Sequence, residues 1–161
     1  MLASLMFVSK IIMELLPNVH LLGMFVITFT VAFRLKALIP IYLYVLLNGL
    51  YAGFNAWWVP YLYVWTILWA LAMLISQKTP KWLACIIYPA LCALHGLAFG
   101  TLYAPAQALL FGLSFEQMLA WIAVGFPFDV IHCISNLCTG LLIYPLSELL
   151  KKLMARSRYK I

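Results

Sequence analysis

The sequence predicts an all-α membrane protein, a compact bundle of six transmembrane helices with the N- and C-termini in the cytoplasm. Three observations predict it. Hydrophobic residues make up 67% of the 161 residues and charged residues only 9%, whereas a soluble domain carries about 25% charge and uses it to cover its surface. Apolar runs approaching the ~20 residues that cross a bilayer recur six times. The basic residues fall on alternate connections between those runs. The same composition excludes a disordered chain and a nucleic-acid-binding module. The formal charge of +6 therefore reads first as a topology signal.

Residues 1–161 form one membrane domain. The first span, about 2–16, ends at Pro17-Asn18, and the second, 19–33, ends at Arg34 and Lys36. Both are short for full spans. The first has no basic segment before it and holds Lys10 and Glu14 inside it, unlike a signal peptide. Those two residues form an i, i+4 pair that neutralises itself. The third span, 37–52, ends near Gly53, and the fourth, 59–76, at Gln77-Lys78-Thr79-Pro80-Lys81. The fifth, 82–104, ends at Pro105. The sixth, 117–150, is interrupted at Pro127 and runs into Lys151, Lys152, Arg156, Arg158 and Lys160. With the N-terminus inside, the cytoplasmic connections and tail carry every basic residue except Lys10. That asymmetry sets the orientation. Residues 146–161 form a basic amphipathic tail, with Leu146, Leu149, Leu150, Leu153 and Met154 at helical spacing, suited to an anionic membrane surface.

The outer connections hold no charge except Glu116 and are aromatic instead. The stretch from Tyr51 to Trp65 contains Tyr51, Phe54, Trp57, Trp58, Tyr61, Tyr63 and Trp65. An aromatic belt at the lipid interface is the ordinary reading of such a cluster. Here Gly53, Asn55 and Pro60 give the loop a fixed irregular backbone, and the opposite interface is poor in rings. A platform that stacks on a flat ligand is the sharper reading. Ionisable residues within a span face a cavity or each other. Asp129, His132 and Asn136 share one helix face at i, i+3 and i+7, and His95 lies at a matching depth in the fifth span. This set fits a polar clasp between helices, the floor of a ligand pocket, or a metal site of His95, Asp129 and His132. Asn55 in the aromatic loop and Tyr103 at the end of the fifth span complete the candidate binding set. Gly96 and Gly100, four apart, suit close helix packing. The cysteines, Cys85, Cys92, Cys133 and Cys138, lie in apolar runs without zinc spacing and read as small buried hydrophobes. There is no nucleophile elbow, phosphate loop or Walker sequence, so the chain reads as non-catalytic and without a cofactor of its own.

Three stretches carry a family resemblance: Leu16-Pro17-Asn18-Val19, Tyr51 through Trp65, and Gly125-Phe126-Pro127-Phe128-Asp129-Val130-Ile131-His132 followed by Asn136 and Pro145-Leu146. With the size and the six short spans, they resemble the substrate-binding S component of an energy-coupling factor (ECF) vitamin transporter. The resemblance implies a protein of the prokaryotic plasma membrane that captures a vitamin or precursor at its outer face. It implies docking on a transmembrane coupling subunit with two cytoplasmic ATPases, which alone use ATP, and inward release by toppling in the membrane. The pocket would be roofed by outer loops, with Trp57, Trp58, Tyr61 and Trp65 stacking and His95, Asp129, His132 and Asn136 hydrogen bonding. The first span offers Ala3, Ser4 and Ser9 rather than the Ala-xxx-Ala docking pattern of many members. A membrane-embedded metalloenzyme and a stand-alone ion-coupled carrier are the alternatives. The ring-rich loop fits a pyridine, pyrimidine, pterin or tetrapyrrole-type ligand equally.

Overall fold

The computed structural model describes residues 1–16 and 19–158. Pro17-Asn18, expected to turn the chain between the first two spans, and residues 159–161 of the tail lie outside the described residues. The described residues form eight α-helices and no strand. These are α1 (Leu2–Met13), α2 (Leu22–Phe33), α3 (Leu38–Ala52), α4 (Tyr61–Leu74), α5 (Lys81–Leu97), α6 (Phe99–Phe111), α7 (Phe115–Gly140) and α8 (Ile143–Arg158). Short 3-10 turns stand at Arg34–Ala37 and Ala56–Trp58. Four stretches, Leu22–Ala52, Ala56–Leu74, Lys81–Phe111 and Phe115–Gly140, are long and apolar enough to cross a membrane. The shorter α1 is apolar as well.

Helix α2 is the hub. Every residue from Leu22 to Val31 is buried, with α1, α4, α5, α7 and α8 packed around it. The chain leaves it at Arg34, whose φ of 55° is one that residues with a Cβ seldom adopt. A hydrogen-bonded corner fixes that conformation. The Arg34 guanidinium donates to the carbonyls of Met73 (2.7 Å) and Ile75 (3.4 Å) at the end of α4. The Trp69 indole donates to the carbonyl of Arg34 (3.2 Å). Helix α3 then runs back beside α4, where the Tyr42 hydroxyl reaches the Leu62 carbonyl at 3.1 Å.

The expected fifth span, 82–104, proves to be two helices that continue past Pro105 to Phe111. The break is at Ala98, not at the proline, because the Gly100 N–H leaves the helical ladder for the Asp129 carboxylate (3.0 and 3.1 Å). Pro105 removes only one donor and is tolerated where neighbouring groups re-satisfy the backbone. The segment ends at Gly112, left-handed at φ +64, as a helix stop commonly is. The expected outer connection 104–116 thereby shrinks to Gly112–Ser114, and a Ser114/Gln117 capping box starts α7. The expected sixth span, 117–150, is also two helices. Pro127 does not interrupt α7; the break is the turn after Gly140.

Helix α7 lies antiparallel along α5 and α6 at very close range. A Cβ on Gly140 would stand 2.7 Å from Pro89 Cα, and one on Gly96 would stand 2.9 Å from the carbonyl carbon and oxygen of His132. The Asn136 amide donates to the Cys92 carbonyl (3.1 Å). The small-residue reading of Gly96 and Gly100 thus holds. Helix α8 buries Ile143 and Ser147 and packs Tyr144, Leu146 and Leu150 against the core, while Leu149 and Leu153 stay exposed. Of the cysteines, Cys92 is buried, but Cys85 and Cys138 face outward, so the expectation of uniformly buried thiols fails. They sit on helix faces that point away from the neighbouring helices.

Gly96→Ala is expected to force α5 from the α7 backbone and to cost about 1–3 kcal/mol of stability. Gly125→Ala, whose Cβ would meet nothing within 4 Å, should leave the unfolding midpoint unchanged or raised. Thermal unfolding of the two variants in detergent compares them directly.

Candidate functional site

Where α2, α4, α5 and α7 approach one another they enclose a cavity of about 240 Å³. Its walls include the candidate residues Tyr61, Trp65, His95, His132 and Asn136. Each arrives by a readable local rule. Tyr61 and Trp65 are one turn apart on α4, and their rings meet edge to face at 5.8 Å. His132 and Asn136 are one turn apart on α7. At Gly23 and Gly96 the absence of a side chain lets the walls close up tightly. A Cβ at Gly23 would approach Cys92 Sγ at 3.0 Å, and one at Gly96 would approach the Asn136 amide at 2.7 Å.

The chain has three histidines, and all three line this cavity. His95, 4% exposed, lies against the Val64 carbonyl through Nε2 (3.2 Å). A carbonyl only accepts, so Nε2 carries the hydrogen of that bond and Nδ1 is left as an acceptor in the neutral ring. His132 pairs its ring with His20 at 5.4 Å and with Phe99 at 5.3 Å. Both ring nitrogens of His132, His20 Nδ1 and Trp65 Nε1 are buried and have no hydrogen-bond partner among the described residues. Buried polar groups are nearly always paired. Tyr44 Oη, both amide atoms of Asn48 and Ser135 Oγ are unpaired as well, but the four atoms of His20, Trp65 and His132 lie around one hollow.

The other candidates are placed differently. Asp129 turns both oxygens to the Gly100 N–H, and its Oδ1 lies 3.9 Å from His132 Nδ1. It lines a second, shallower hollow between α6 and α7 with Tyr103, Gln107 and Trp121. Tyr103 stacks on Trp121 at 6.0 Å and donates to the Trp57 carbonyl (2.7 Å). The Trp57 ring meets the edge of Tyr61. Trp58 folds back over Gly49, donating to the Val45 carbonyl (2.8 Å), and Asn55 is exposed. The loop thus braces the wall, while Tyr61 and Trp65 form it. The metal reading of His95, Asp129 and His132 lacks its geometry: among the described residues no three His, Cys, Asp or Glu side chains are grouped to hold an ion.

Lys10, His20, Leu22, Gly23, Gly96 and Phe99 also line the cavity. Lys10 is ion-paired with Glu14. An ammonium inside an apolar helix was itself a functional signal, outweighed in the sequence by the neutralising partner one turn on. His20, just beyond Pro17-Asn18, reads in the sequence as open equally to a ligand or to solvent, and Phe99 carries no local mark. No family model, curated protein or solved structure matches the chain.

Removing the Asp129 carboxylate strands a buried N–H at the α5–α6 break. Asp129→Ala is expected to lower stability by about 1–3 kcal/mol, and Asp129→Asn, which keeps one acceptor, by less. Chemical denaturation followed by circular dichroism distinguishes the two.

Proposed function

We propose that this chain is a substrate-capture subunit in a membrane, binding a small flat micronutrient in the histidine-lined cavity. In this reading the six segments α1, α2, α3, α4, α5–α6 and α7–α8 are the six spans, with both termini in the cytoplasm. The positive-inside rule supports that orientation. Arg34 lies at the end of α4 and Lys81 stands over Tyr144 at 6.0 Å at the start of α8, which supports a basic, cytoplasmic end there. The opposite end carries the aromatic loop and the short connection Gly112–Ser114, and faces outward.

The observation that carries the proposal is the set of unpaired polar atoms around a ring-lined hollow. Rings supply flat contact worth about 0.5–1.5 kcal/mol per pair beyond burial. Unpaired nitrogens supply direction and selectivity, because each costs about 1–3 kcal/mol until a guest satisfies it. A pocket with a few convergent polar groups is the expected form of a small-molecule site. The resemblance to ECF S components adds the expected partners: a transmembrane coupling subunit and two ATPases that supply the energy.

Three measurements test this. Tagged chain isolated from membranes of its own host should bring down a coupling subunit and two ATPases, and uptake in proteoliposomes should need them and ATP. Uptake by the chain alone would instead identify a carrier. His132→Ala should weaken capture of the transported compound by about 1–3 kcal/mol, roughly 5- to 150-fold, by titration calorimetry. Unaltered affinity would remove His132 from the site.

A further inference from the structure

We infer that the cavity takes a neutral planar heteroaromatic of one or two fused rings, with both a donor and an acceptor on its edge, and turns anions away. This rests on the capture reading and narrows its substrate class. Size comes first. An apolar hollow of about 150 Å³ holds one benzene ring. The 240 Å³ here admits one substituted ring or two fused ones, and leaves no room for a tetrapyrrole.

Charge comes next. Among the described residues Lys10 is the one lining side chain with a fixed charge, and Glu14 already matches it. Behind His132 stands the Asp129 carboxylate, with Oδ1 3.9 Å from His132 Nδ1. Its negative potential opposes a buried anion, which would find no free cation among the described residues to offset its lost hydration. The edge pattern follows from the unpaired atoms. Trp65 Nε1 can only donate. A neutral His132 offers one donor and one acceptor. A ring bearing an amide, lactam or amino-nitrogen edge answers both. The flat faces available to it are Tyr61, Trp65 and Phe99, with Trp65 and Phe99 5.9 Å apart.

Nicotinamide and nicotinate are a matched probe pair, the same ring with a neutral or an anionic edge; lumichrome, with three fused rings, tests the size limit. Saturation-transfer difference spectra of each with the full chain in nanodiscs at pH 7.5 should show nicotinamide binding at least tenfold more tightly than nicotinate, and no lumichrome signal. His132→Ala should lower the nicotinamide affinity at least fivefold, with His20→Ala in its place if that variant does not fold. Nicotinate binding as tightly as nicotinamide, or lumichrome competing with it, would overturn the inference. If neither pyridine binds, the small molecule released by heating protein purified from its own host decides. A neutral compound of one or two rings supports the inference, and an anionic or larger one defeats it. No bound molecule of any kind would bring down the capture reading itself.

Discussion

Two backbones in near contact organise the centre of this protein. Gly96 and Gly140 let α5 and α7 approach until only hydrogen atoms separate them from the opposite chain. That approach lets the Asn136 amide reach the Cys92 carbonyl and the Asp129 carboxylate reach the Gly100 N–H. The second contact diverts a helical donor and so creates the break at Ala98. The break in turn sets the direction in which Phe99 leaves the backbone, between the two hollows it lines. The helix break and the placement of Phe99 are consequences of one packing choice.

The polar groups divide into two populations. One is fully employed: Arg34 on α4 carbonyls, Trp58 on Val45, Tyr103 on Trp57, Asp129 on Gly100. These hold elements together across the apolar interior, where an unmade bond is expensive. The other is idle: His20, Trp65 and His132 around the central hollow, and Tyr44, Asn48 and Ser135 away from it.

Much of this was legible in the sequence. Apolar runs bounded by charges and turn residues located the helices. The i, i+3, i+7 spacing put His132 and Asn136 on one face. The glycine pair announced close packing. Helix ends were less legible, because prolines were read as stops. Pro105 and Pro127 sit inside helices, where apolar surroundings and neighbouring chains sustain a ladder that water would dissolve. Asp129 shares a face with His132, yet its side chain answers to a backbone donor on another helix, which spacing along one helix does not encode. Trp57 and Trp58 looked like a roof because two indoles in a loop suggest stacking. Their partners, Tyr61 and the Gly49 notch, depend on how the loop folds back. Lys10 and His20 come from opposite sides of a turn, and only tertiary packing shows that they share the hollow.

The unequal lengths of the helices have a consequence for packing. Helix α2, with 12 residues, rises only about 18 Å, against a hydrocarbon thickness of ~30 Å. The 31-residue stretch from Lys81 to Phe111 rises about 46 Å. A hub so much shorter than the longest stretch beside it can pack against only part of that stretch. The remainder takes its contacts from α7, which runs along both α5 and α6.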